Sequence, residues 1–199
     1  MLIYIMETAQ FKVIEGKVPV LISAPHVFSH RRPNLNASYK PGEVYTGEII
    51  KKVCAETSAF GIYLSDECDY DPNYHKERKN TYKQEVRRIV EKYKIERFID
   101  IHGLRDCNYD LGLYYTTRFS KSLNFAYEIE DGLNKGKLNG ISIEIFRFLD
   151  NGQGTLGEFV ASKLRVPAVQ IEVARYIRSD EELRESLIKN LSEIIKNYI

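Results

Sequence analysis

The chain has 199 residues, of which 43% are hydrophobic and 29% charged. That is the composition of a globular protein and excludes a disordered, collagen-like or coiled-coil chain. Lys plus Arg is 29 against 28 for Asp plus Glu, and a net charge of +1 leaves no electrostatic footprint for nucleic acid or an anionic membrane. No apolar run approaches the roughly 18 residues that span a bilayer. The N-terminus lacks the basic region and long apolar stretch of a signal peptide. The chain therefore reads as cytoplasmic, with no membrane and no nucleic-acid partner. The basic stretch Lys76–Arg88 is interrupted by Glu77 and Glu85, which weakens it as a nucleic-acid patch. Cys54, Cys68 and Cys107 are odd in number and have no CxxC spacing, which argues against a disulfide framework or a thiolate zinc site. Cys54 falls on a helical pattern and reads as a small core residue.

Residues 2–7 and 11–14 alternate and read as a hairpin or edge strands. Val18–Ser23 is a continuous apolar run, as expected for a strand buried on both faces. Helical spacing follows over 46–59, with Thr46 as a cap and Gly61 as a stop. Residues 62–64 form a short strand and 79–94 an amphipathic helix. Arg97–His102 is a second buried strand. Strands at 111–117 and 141–148 flank a helix at 121–134. A helix at 155–164 precedes the strand 168–173, and a last helix covers 180–198. Alternating strands and helices predict an α/β fold, a three-layer α/β/α sandwich with a mixed, largely parallel central sheet. No repeat, low-complexity segment or linker divides the chain, so 1–199 reads as one domain.

In open α/β sheets the ligand site lies beyond the carboxyl ends of the strands. Three buried strands here end in groups that bind metal or move protons: Ser23-Ala24-Pro25-His26, Asp100-Ile101-His102-Gly103 and Gln170-Ile171-Glu172. Two imidazoles and a carboxylate at one sheet edge suit a catalytic zinc site, which has three protein ligands and an open position. The candidates for the carboxylate are Glu43, Glu48, Asp66, Asp100 and Glu172. Glu43 stands in a loop just before the first helix, where a side chain can point into a site, whereas Glu48 reads as a solvated helix charge. His30 lies four residues after His26, but Pro25 and the preceding strand disfavour a shared helix face. Glu172 and Gln170 share one face of their strand. A carboxylate in an apolar run needs a partner, such as Arg175, or a task, such as general base.

Several stretches in this order resemble the N-formylglutamate amidohydrolase family. They are Ala24-Pro25-His26 with Arg32-Pro33 behind it, Glu43 before a helix, Asp100-Ile101-His102, the Gly152-Gln153-Gly154 turn and Val169–Arg175. That family is similar in turn to the zinc carboxypeptidases and the aspartoacylase-like deacylases. The resemblance implies a phosphorylase/hydrolase-like fold, one Zn2+ ion, and cleavage of the C–N amide bond of a small N-acyl amino acid. It implies His26, Glu43 and His102 as metal ligands and Glu172 as general base. Asp71-Pro72-Asn73-Tyr74 is similar to the family's substrate stretch, with Arg78 supplying the cation, and the turn at Gly154 to part of the substrate pocket.

Amino-acid carboxylates are usually held by Arg through paired hydrogen bonds. Arg105, just after His102, and Arg147, at the end of the 141–148 strand, are the first candidates to hold the substrate or to stabilise an oxyanion. The expectation is a zinc-dependent amidohydrolase acting on an acidic, small-molecule substrate. The alternatives are a zinc carboxypeptidase-like metallopeptidase and a non-catalytic metal- or ligand-binding protein of the same fold.

Overall fold

The structure is a computed structural model that describes residues 10–32, 39–106, 109–116, 119–148 and 154–198. The expected strand at 2–7, Cys107 and residues 149–153 lie outside the described residues. Nine strands are described in chain order: β1 Phe11–Ile14, β2 Val18–Ala24, β3 His30–Arg31, β4 Tyr39–Lys40, β5 Ala59–Leu64, β6 Arg97–Leu104, β7 Leu111–Thr116, β8 Ile143–Phe148 and β9 Ala168–Ala174. The helices are α1 Thr46–Thr57, α2 Thr81–Tyr93, α3 Ser120–Leu133, α4 Leu156–Phe159, α5 Arg175–Ser179 and α6 Glu181–Lys196. A π-helical turn, Val160–Leu164, extends α4 over the stretch expected to be a plain helix.

Seven strands form one sheet in the order β1-β5-β2-β6-β9-β7-β8. Strands β5, β2, β6 and β9 run parallel, β1 closes one edge antiparallel to β5, and β7 is antiparallel to β9 with β8 parallel to it. This is the expected mixed, largely parallel sheet. The continuous apolar runs of β2 and β6 occupy its centre, where both faces are covered. On one face Ile22, Ile99, Ile101, Val169 and Ile171 pack with residues of α1, α3 and α6. On the other, Leu21, Phe98 and Ala168 pack with residues of α2, α4 and the π turn.

That second face changes character along the strands. Phe98, Asp100 and His102 alternate along β6, and Ala168, Gln170 and Glu172 lie beside them on β9 in the same register. The apolar residues meet α2 and α4, and the polar ones emerge at the carboxyl ends. The buried hydroxyl of Tyr82 in α2 donates to Ile62 O at 2.8 Å and lies 2.9 Å from Ser23 Oγ.

Helix α1 begins and ends differently from expectation. Thr46 is its first residue rather than its cap, and its hydroxyl donates to Glu43 O at 2.8 Å. Ser58, in the left-handed region at φ 59°, ends the helix by donating to Cys54 O, while Gly61 already belongs to β5. The hairpin β3–β4 and the short α5 escaped the sequence reading because two and five residues carry no periodic signal.

Candidate metal centre

The carboxyl ends of β2 and β6 bring His26 and His102 together, with ring centroids 4.7 Å apart and planes at 76°. Glu43 reaches between them from the loop before α1. Its backbone N–H donates to His26 O at 2.7 Å, which ties that loop to the end of β2. Gly42 permits this approach, since a Cβ there would lie 2.4 Å from Val27 O. One Glu43 oxygen lies 3.2 Å from His26 Nδ1 and the other 3.6 Å from His102 Nδ1. Gly103 N–H donates to that second oxygen at 2.8 Å. His26, Glu43 and His102 thus each offer one ligand atom, and the three atoms lie within 4.8 Å of one another.

Behind each ring stands a buried aspartate. His26 Nε2 is 2.9 Å from Asp71 Oδ1, and His102 Nε2 is 3.0 Å from Asp100 Oδ2. A carboxylate only accepts, so each Nε2 carries a hydrogen, and each Nδ1, facing Glu43, offers a lone pair once it gives up its proton. A carboxylate behind each ligating histidine is the arrangement that fixes the tautomer at zinc sites. The donor set, two imidazoles and one carboxylate, fits zinc.

A second group, His26, His30 and Asp71, is equally compact but suits an ion poorly. The rings of His26 and His30 are stacked, 3.9 Å apart at 5°. Ring lone pairs lie in the ring plane, so those of two parallel rings do not meet at one point. His30 instead buttresses His26, and burial is the main cause of a pKa lowered to about 4, which keeps it neutral.

Electrostatics sort the remaining groups. Burial opposes the charge on His26 and on His102, but the carboxylates beside them prevail and raise both pKa values above the ordinary 6.5. Burial likewise opposes ionisation of Glu43 and Asp71, and the neighbouring histidines prevail to hold both well below the usual carboxylate range. Glu172 is the exception. It is the register neighbour of His102 on β9 and accepts from Gln170 Nε2 at 2.7 Å. Burial raises its pKa, with the Glu43 charge adding to the rise and His102 acting against it.

A cleft of about 590 Å³ opens beside the centre, lined by Arg32, Lys40, Glu43, Gly103, Arg105 and Arg175 among others. Arg105, singled out from the sequence, lines this cleft. Arg147, Arg78 and Gly154 are not among the residues that line it. Arg147 pairs in register with Tyr115, which pairs with Val169, so strand alternation places it on the face opposite Glu172. Arg78 is exposed in a 3-10 turn before α2 and does not line the cleft. Gly154, at φ 61°, accepts from Lys83 Nζ through its carbonyl and does not line the cleft. The sequence reading took Asp71 for part of a substrate stretch. Its side chain instead backs His26 and accepts from Arg32 Nε at 3.1 Å, a pairing across 39 residues that no local pattern announces.

Comparison with solved structures finds the same fold. It is similar over 96% of its length to a metallo-carboxypeptidase from Burkholderia cenocepacia, with 10% identity and a TM-score of 0.62, and covers 65% of that chain. It is similar to the N-acetylmuramoyl-L-alanine amidase AmiC2 of Nostoc punctiforme, with 15% identity, a TM-score of 0.53 and coverage of 93% and 98%. A gene product of Agrobacterium tumefaciens, Atu2144, matches at 12% identity and a TM-score of 0.69 over 96% of this chain and 94% of the other. No protein-family model and no curated protein sequence matches the chain.

Proposed function

We propose that the chain is a zinc-dependent hydrolase that cleaves the amide bond of a small, acidic N-acyl amino acid of the N-formylglutamate kind. The observation that carries the reading is the convergence of His26 Nδ1, His102 Nδ1 and the Glu43 carboxylate, each histidine backed by an aspartate. The amide- and peptide-cleaving neighbours in the same fold support a metal-dependent hydrolase. Bound zinc supplies a Lewis acid for the carbonyl and lowers the pKa of water. Glu172, beside His102 and raised above the ordinary carboxylate range, takes the proton of the attacking water and returns it to the leaving nitrogen. Arg105 and Arg175 line the cleft next to Glu43 and hold the substrate carboxylate or a developing oxyanion.

A second reading, a metallo-carboxypeptidase, draws on the same cationic cleft, which would equally hold the free carboxylate of a peptide. Hydrolysis of N-formyl-L-glutamate, N-acetyl-L-glutamate and short acidic peptides by zinc-loaded protein separates the two. Release of free glutamate from the acyl amino acids supports the first reading, and release of only the C-terminal residue of peptides supports the second. Absence of bound zinc, with no activity on adding it, would remove both.

A further inference from the structure

Arg178 carries an unusual combination of contacts. It lies in α5 with only 4% of its surface exposed. Its guanidinium forms no ion pair among the described residues and instead donates to three backbone carbonyls from three separate segments. Nε donates to Val173 O at 3.0 Å, Nη1 to Val44 O at 2.6 Å and Nη2 to Leu104 O at 3.1 Å. Val173 follows Glu172, Val44 follows Glu43, and Leu104 stands two residues after His102. The carbonyl of Arg178 is held in turn by Arg184 Nη1 at 2.7 Å.

We propose that Arg178 is a positioning residue that sets the mutual geometry of Glu43, His102 and Glu172. The proposal rests on the metal-dependent reading of the site. A guanidinium presents planar donors at fixed angles, so bonding three carbonyls at once fixes the relative placement of the segments that carry them. The sequence makes room for it: a Cβ on Gly103 would lie 2.8 Å from the guanidinium carbon. The same Gly103 donates its N–H to Glu43. Burying a cation without a carboxylate partner is costly: burial, with the Arg175 charge, lowers the Arg178 pKa from its ordinary value against the opposing charges of Glu43 and Glu172, and the three carbonyls supply the guanidinium with its acceptors. A residue needed for stability alone would not have to bridge these three segments.

The test compares the parent with Arg178→Lys and Arg178→Met. The readouts are thermal unfolding of the metal-free proteins, zinc affinity by chelator competition, and kcat and KM where turnover is found. Outer residues that orient metal ligands typically change metal affinity by 10–100-fold. Both variants are expected to lose roughly that factor in zinc affinity and to lose kcat with KM little changed. If a variant does not fold, Gly103→Ala displaces the guanidinium without removing it and is expected to weaken zinc binding in the same direction. A parent that binds zinc, with folded variants of unchanged zinc affinity and kcat, would overturn the positioning role alone. A raised KM at constant kcat would assign Arg178 to substrate binding and overturn it too. A parent that binds no zinc would overturn the metal reading and this proposal with it.

Discussion

Two half-buried carboxylates at the centre behave oppositely because their surroundings differ. Glu43 lies between two imidazoles whose charge outweighs its burial, so it stays ionised, as the proposed ligand role requires. Glu172 is raised by burial and by the Glu43 charge, which brings it closer to the pH at which a general base works best. Glu172→Gln keeps the shape and removes the proton acceptor. It is expected to retain zinc and lose roughly 10²-fold or more in kcat. Zinc content and turnover measured on one preparation decide it, since loss of the metal would make Glu172 a ligand instead. Glu172 was legible in the sequence as a carboxylate in an apolar strand. Asp71 was not, because it backs His26 across 45 residues from a segment with no regular structure of its own.

At the scale of elements, the site is held by ties between segments rather than by any one helix or strand. Lys83 of α2 is 2% exposed and donates from Nζ to Asn73 O at 2.8 Å and to Gly154 O at 2.6 Å. Asn73 itself donates its N–H to Asp71 Oδ1 and accepts from Leu156 N–H through its side chain. The lysine thus joins the turn that carries Asp71 to the start of α4. Lys83→Met leaves both carbonyls without that donor and is expected to cost about 1–3 kcal/mol, measured by urea unfolding. Burial lowers the Lys83 pKa to about 8 from the ordinary 10.5. The folded chain sheds this proton first, so its contribution to stability rises with pH between those values. That alkaline rise is expected to be missing from Lys83→Met, and its persistence there would assign it to other groups.

At the scale of the whole molecule, the centre couples folding to pH and, on the proposed function, to metal. In the metal-free protein the contribution of His26 and His102 is full below the ordinary 6.5 and is lost as pH rises through their raised values. The contribution of Glu43 and Asp71 is full above the ordinary 4.5 and 3.8 and is lost as pH falls through their lowered values. The site therefore favours the metal-free fold most between about pH 4.5 and 6.5. Zinc needs neutral imidazoles, so its stabilisation grows as pH rises beyond that window. At about 100 times its Kd, zinc is expected to add about 2.7 kcal/mol, or roughly 5–10 °C in Tm for a chain of this size. Unfolding scans with zinc and with a chelator at pH 5.5 and 8 check this, and equal Tm values at pH 8 would contradict it.

The sequence by itself determined the central strands and their polar ends, because an apolar run or a two-residue alternation is a local property of the chain. Leu21 and Ser23 on β2, the Phe98, Asp100 and His102 series on β6, and Ala168, Gln170 and Glu172 on β9 could be read without knowing their neighbours. Only the tertiary structure decided which groups meet. Glu43 enters from 17 residues beyond His26, its second oxygen is held by Gly103 from 60 residues away, and Arg178 reaches Val44 across 134 residues. Chain connectivity also placed Arg147 on the far face, since the register of β8 on β7 and of β7 on β9 assigns the faces of the outer strands. Periodicity tells which residues share a face of one strand; the pairing of strands tells which faces form one site.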